Sequence, residues 1–366
     1  MKKITPKLQL AANIVVNKLI KAKPGERMLI MTNPVEGFEE TAVAVFRAAQ
    51  QAKVRPNLLY QNVKSEKDNL EPHVIAAIKS EPDIYFHCSA ESSGFDPQRY
   101  AGGYNYRGQK YDEYRYLLFA KKKMRGCWTN SCTSDRFAQT VVINYQQMRV
   151  LIGKIMRKFN RAHRIYVKTK RGTNFEAGIK TRQSFVDDGD FSKPGLYGNV
   201  PAGEAFVSPD LNDVNGTIVI DASMTQRRGL EIKKPIKLEL KNNHIYAING
   251  SHEAKMLKSD IAQAIAGVRK NVRAGKFGKK EAEEYIKNCH AIGEIGLGVN
   301  PKAKIGHSPI EDEKVINVMH VAIGRNYDFD QVAPIHFDCM LRGPEVVLEY
   351  PGGKKETIHK NGKFYL

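Results

Sequence analysis

Residues 27–60 read RMLIMTNPVEGFEETAVAVFRAAQQAKVRPNLLY, and this stretch decides the fold of the first half of the chain. Arg27–Thr32 is a short apolar run that stops at Asn33-Pro34, the pattern of a buried strand. Glu39–Ala52 then spaces its Ala and Val residues on one helical face, and Asn57–Tyr60 returns to a strand. A strand, a helix and a strand at this spacing predict a βαβ unit, hence a parallel sheet. Working outward, residues 7–22 carry Leu8, Ala11, Ala12, Val15, Leu19 and Ile20 at helical spacing, ended by Lys23-Pro24-Gly25. A helix over 73–79 and a strand over 83–87 follow. Ser134–Asn160 reads as one long helix with Ser134 as its N-cap.

Beyond residue 162 the texture changes. Arg164–Lys168, Asn174–Ile179, Gly216–Asp221, Ile236–Leu240, Ile245–Ile248 and Glu345–Glu349 are β-rich, with turn signals between them. Lys241-Asn242-Asn243-His244 predicts a hairpin turn, and a helix is expected around Asp260–Val272. The expected fold is therefore α/β plus α+β. Residues 1–162 form an N-terminal βαβ domain with a parallel sheet, and residues 163–366 a C-terminal, mostly antiparallel β domain. Residues 95–116 stand apart, with Phe95 and six tyrosines (Tyr100, Tyr104, Tyr106, Tyr111, Tyr114 and Tyr116) among glycines. They read either as an aromatic segment packed on a neighbour or as a substrate-facing lid.

The chain has 366 residues, with 58 Lys+Arg against 39 Asp+Glu and a formal net charge of +19. That excess raises the question of a nucleic-acid partner. The basic residues are scattered, however, and no basic-aromatic module accompanies them, so nucleic acid is not expected as a partner. No apolar stretch is long enough to span a bilayer, so no membrane partner is expected either. The polar breaks at Gln9, Asn13, Asn17 and Lys18 interrupt any secretory core after the Met1-Lys2-Lys3 start. Five cysteines, an odd number, point to reduced thiols and a cytoplasmic location.

Several familiar motifs fail. His252-Glu253-Ala254-Lys255-Met256 lacks the second His of a zincin helix, and Gly293-Glu294-Ile295-Gly296-Leu297-Gly298 has its glycines at the wrong offsets for a dinucleotide loop. Cys127 and Cys132 are too far apart for a redox pair. What remains is a set of ionisable groups in apolar settings. His336-Phe337-Asp338 puts His336 and Asp338 on one face of an extended strand. His320 lies within Val315–Ile323, Glu294 between Ile292 and Ile295, and Glu204 follows a Pro-Ala-Gly turn into Ala205-Phe206-Val207. Burying such groups is costly unless they are paired or coordinated to a metal. Carboxylates and imidazoles without a thiolate suit Zn, Co, Mn or Fe as divalent ions, and the number of ligands suffices for one or two of them.

At these residues the sequence resembles the aminopeptidase T family, leucyl aminopeptidase-like metallo-aminopeptidases that include aminopeptidase S and PepS. NVPAGEAFVSP (199–209) resembles that family's block with its first metal-binding Glu, which carries over to Glu204. GEIGLGVNPKA (293–303) resembles the block with the second, here Glu294. MHVAIGRNY (319–327) resembles the block with a ligand His and a later Tyr, here His320 and Tyr327, and HFD (336–338) the final His336 and Asp338. A further acidic ligand of the family has its nearest counterpart in Glu313, slightly farther from His320 than the family pattern places it. The resemblance implies a metallo-aminopeptidase, a hydrolase of peptide substrates and a homodimer. Glu204, Glu294, His320, His336 and Asp338 then hold one or two ions, and Glu204, Glu294 and Tyr327 serve catalysis. The same superfamily contains iron-dependent 2,5-dihydroxypyridine ring-cleaving dioxygenases, which resemble this C-terminal half but carry a His ligand where this chain has Glu294. On that ligand inventory the peptidase is the expectation and the Fe(II)-dependent dioxygenase the alternative.

Overall fold

A computed structural model of the chain describes residues 4–65, 68–225, 230–275, 278–306 and 308–366. The charged start Met1–Lys3 and Lys276 of the basic run lie outside the described residues. The chain forms two compact units: residues 1–144 with 189–202, and residues 145–188 with 203–366. The expected boundary at 162 falls within the second of these.

The first unit is built on a parallel sheet whose strands run in the order Tyr197–Asn199, Arg125–Asn130, Ile84–Ser89, Arg27–Thr32 and Arg55–Tyr60. Ile84–Ser89 is buried along its whole length, and Arg27–Thr32 everywhere but at Arg27, as strands covered on both faces must be. The edge strand Arg55–Tyr60 is only half-buried. Helices Pro6–Ile14, Glu39–Gln51, Pro72–Lys79, Tyr114–Ala120 and Ser134–Thr140 belong to this unit.

The long helix expected over 134–160 is two helices, Ser134–Thr140 and Tyr145–Phe159. Three consecutive β-branched residues, Val141-Val142-Ile143, lie at the break, where crowding at χ1 disfavours helix continuation. Thr133, extended at φ −65° and ψ 156°, occupies the N-cap position in place of Ser134. The tyrosine-rich segment forms a short 3-10 helix, the hairpin Tyr104–Tyr106 with Gln109–Tyr111, and the start of helix Tyr114–Ala120. Its rings pack locally: Tyr104 meets Tyr114 edge-on at 5.2 Å, and the Tyr104 hydroxyl donates to Asp96.

The second unit carries two antiparallel sheets among the described residues. One runs from His244–Asn249 through Ile236–Lys241, Val214–Ile220, Asn174–Gly178, Arg164–Lys168, Glu345–Glu349 and Lys355–Lys360 to Lys363–Phe364. Its hairpin turn is where the sequence places it, with Asn242 and Asn243 both at positive φ. The helix expected around 260–272 spans His252–Arg273. The other sheet runs in the order Leu230–Glu231, Ser223–Met224, His336–Arg342, Val318–Gly324, Ile292–Gly298, Glu204–Val207 and Phe185–Asp187. Its central strands Ile292–Gly298 and Val318–Gly324 are buried at every residue. No helix among the described residues is long and apolar enough to cross a membrane.

Candidate metal centre

The register of this second sheet gathers residues far apart in sequence. Glu294 lies opposite Ala322, which lies opposite Asp338; Gly296 lies opposite His320, Gly324 opposite His336, and Glu204 opposite Gly298. Because side chains alternate along a strand, all five expected ligands project from the same face. Around them that face carries glycine and alanine, and the missing side chains clear the space the polar groups fill. A Cβ on Gly296 would sit 2.2 Å from the His320 ring, and one on Gly298 would sit 2.5 Å from the backbone of Lys314 and Val315. The glycines of Gly293–Gly298, unsuited to a dinucleotide, thus serve close approach within a sheet.

Glu294 is the hub. His320 Nε2 lies 2.9 Å from its Oε1 and His336 Nε2 lies 3.2 Å from its Oε2, while His336 Nε2 is also 3.2 Å from Asp338 Oδ1. His320 Nε2 is 3.6 Å from Glu204 Oε2. Two groups bring three donor atoms within reach of one ion: Glu204, Glu294 and His320, and Glu294, His336 and Asp338. His336 Nδ1 donates to the Arg325 carbonyl at 2.9 Å, which leaves Nε2 as the ring's lone-pair nitrogen whenever the imidazole is neutral. The Asp338 backbone N–H donates to Thr225 Oγ1 at 3.0 Å, fixing the far side of this pair.

Burial alone pushes the Glu294 carboxyl up, but hydrogen bonds from both imidazoles overcome it and hold the group at about 2. Burial likewise opposes protonation of His320, yet the bond to Glu294 and the charge of Glu204 raise it to about 9. His336 is raised as well, by Asp338 and Glu294 against its burial. Without an ion, protons on the imidazoles offset part of the carboxylate charge. A divalent cation does the same work when they are neutral, which is the usual linkage between metal and proton at such a site. The donor chemistry fits: nitrogen and oxygen ligands only, with Glu204 Oε2 buried and without a hydrogen-bond donor.

Glu313 and Tyr327 fall outside both ligand groups. The Glu313 carboxylate reaches the cluster through Lys314, 2.7 Å away. The Tyr327 ring packs edge-on against His336 with 5.2 Å between centroids and rests on Phe206 at 5.1 Å, while 40% of the residue stays exposed. Two members of the cluster escape sequence reasoning. Lys314 is fully buried, with Nζ 2.5 Å from Glu204 Oε1 and 3.2 Å from Asp187 Oδ2. Asp187 and Lys314 each sit beside other charged residues in an ordinary polar run, and nothing local to Phe185–Asp187 or to residues 311–314 marks them.

Sheet and cluster together define a candidate N/O-ligand metal centre carried on an antiparallel β face. The family model for NicX, 2,5-dihydroxypyridine 5,6-dioxygenase, matches residues 135–349, and the chain belongs to that family. The 2,5-dihydroxypyridine 5,6-dioxygenase of Pseudomonas putida is 27% identical over 213 residues, 55% of this chain and 55% of its own. The chain thus spans about half the length of this curated relative. Among solved structures, 2,5-dihydroxypyridine dioxygenase from Pseudomonas putida superposes with a TM-score of 0.70 at 15% identity, over 98% of this chain and 96% of that one. AmpT from Thermus thermophilus superposes with a TM-score of 0.68 at 14% identity, over 98% and 99%. Both show the shared fold.

These findings correct the expected class. The family model and the curated relative are oxygenases, so the metallo-aminopeptidase reading, with its hydrolase, protease and leucyl aminopeptidase terms, does not stand. The reason lies in the residues it used. Glu204, Glu294, His320, His336 and Asp338 sit on one face of one sheet, and a ligand set of this kind reports the scaffold more than the reaction.

Proposed function

We propose that this chain is an Fe(II)-dependent oxygenase that opens the ring of a small hydroxylated heteroaromatic compound of the dihydroxypyridine type. One observation carries the reading: the family match at 135–349 encloses every residue of the metal centre. Glu294, His336 and Asp338 would hold the ion, which supplies a redox-active Lewis acid for oxygen chemistry when bound. Glu294 keeps its negative charge through its two imidazole partners, and the Arg325 carbonyl keeps His336 turned toward it. The exposed Tyr327 ring, backed by Phe206 and Phe185, offers a flat surface beside His336 on which an aromatic ring can stack. All five cysteines are buried free thiols, which supports a reducing cytoplasm as the working compartment.

The test uses the full chain loaded anaerobically with Fe(II) and then exposed to air with 2,5-dihydroxypyridine, followed by the loss of ring absorbance. A parallel sample receives leucine p-nitroanilide. Loss of the aromatic spectrum without amide release is expected; amide release with the ring intact overturns the reading. Tyr327→Phe should keep the KM, whereas Tyr327→Ala should raise it about tenfold, the scale of one lost aromatic stack of about 1.4 kcal/mol.

A further inference from the structure

Lys314 is the one residue of the cluster that no metal chemistry calls for. It follows the single-turn helix Pro309–Asp312, whose N-cap Ser308 Oγ accepts from the Glu311 N–H at 3.2 Å. The Lys314 N–H then donates to the Glu311 carbonyl, and its own carbonyl accepts from the Asn300 N–H at 2.8 Å. Gly298, directly opposite Glu204 in the sheet, has no side chain to keep this backbone away. The consequence is an ammonium delivered onto Glu204 from above the sheet, with Glu204, Glu313 and Asp187 on its three sides. A lysine ammonium carries three donors and no acceptor, so three carboxylate oxygens complete it.

The two halves of the cluster are therefore unequal. On the Glu204 side, carboxylates close around a cation that belongs to the chain. On the Glu294–His336–Asp338 side, the hydrogen bond at His336 Nδ1 turns Nε2 toward two carboxylates. His320 bridges the halves, its Nε2 on Glu294 and its Nδ1 buried without a hydrogen-bond partner. We propose that the Lys314 ammonium is the resident cation of the Glu204 half, taking the place a second metal would need, so that the centre holds one divalent ion, on Glu294, His336 and Asp338. Lys314 is then a positioning residue: it fixes the ion count and keeps Glu204 away from the ion's shell. This rests on the metal-centre reading above.

The experiment strips the full-length chain with a chelator and titrates it with Mn²⁺ alone, counting bound ions by equilibrium dialysis and elemental analysis. The wild-type chain is expected to bind one Mn²⁺, and Lys314→Met two, since three carboxylates lose their cation. Two ions on the wild type, or one on both proteins, overturns the role of Lys314 while leaving the metal centre in place. No ion on the wild type overturns the metal centre and this inference with it. Should Lys314→Met fail to fold, Glu204→Gln decides: one ion retained with affinity within about threefold supports the proposal. A loss of affinity beyond about tenfold, the scale seen when groups close to a metal are removed, puts Glu204 on the ion and overturns it.

Discussion

Each unit of the molecule buries a cluster of charge, and the two clusters are built on opposite principles. In the first unit, Arg115 Nε sits 2.7 Å from Glu113 Oε2, its Nη1 donates to Ser93 Oγ, and its guanidinium lies 5.2 Å from the Tyr116 ring. Nearby burial keeps His87 neutral, its pKa depressed first by desolvation and then by the charge of Arg115. Each charge there has an equal partner within the chain, and the imidazole is forced to shed its proton. In the second unit, Asp187, Glu204, Glu294, Glu313 and Asp338 outnumber Lys314, and the imidazoles are pushed to take protons up. A closed cluster of paired charges supports the fold; a carboxylate-rich cluster held on a rigid sheet can take a cation from outside.

The largest effect that separates the two is on stability. Arg115→Met leaves Glu113 buried without its counter-charge and is expected to cost about 3–5 kcal/mol, read as the shift in a urea midpoint. Bound metal per folded chain should not change. A metal count that falls with Arg115→Met would erase the distinction between the clusters.

A smaller effect works in the other unit. Gly296→Ala places a methyl 2.2 Å from the His320 ring, which is pinned by Glu294 and has no room to yield. Metal affinity is expected to fall about 10–100-fold through loss of the oriented imidazole, with about 1–3 kcal/mol of stability lost to overpacking. Unchanged metal affinity would remove His320 from the account.

The smallest effect is on pH dependence. His87 has a folded pKa below its ordinary 6.5, so the unfolded chain binds the proton first as the pH falls. The stability it contributes is therefore intact above about pH 6.5 and declines below it. Replacing His87 by Asn should flatten the fall in melting temperature between about pH 6.5 and 5; a slope that stays the same would show that His87 titrates normally.

The parts of this arrangement that sequence makes visible are those written in local pattern. RMLIMT announces a buried strand because five neighbouring residues, 28–32, agree, and His336-Phe337-Asp338 announces its geometry because strand periodicity is two. The split of the 134–160 helix was legible in principle, since Val141-Val142-Ile143 is a poor helical run, but the apolar spacing on either side outweighs it. Lys314 was not legible. Beside Glu311, Asp312 and Glu313 it has the look of a solvated turn, and the contact that buries it, to Glu204, spans 110 residues. The reaction class was hidden for a different reason. The expectation of hydrolysis rests on a carboxylate at Glu294 within the ligand set, and a ligand type by itself does not name the reaction. In the structure that same residue is the hub on which both imidazoles turn.

Under the proposed function, the carboxylate-rich cluster of the second unit is an iron centre for oxygen chemistry. The most direct measurement is oxygen uptake with 2,5-dihydroxypyridine in an oxygen electrode, comparing chelator-stripped wild type, Fe(II)-loaded wild type and Fe(II)-treated Asp338→Asn. Uptake is expected only in the Fe(II)-loaded wild type, with Asp338→Asn lower by at least about a hundredfold. Uptake that persists in Asp338→Asn, or is absent from the loaded wild type, would contradict the proposed function.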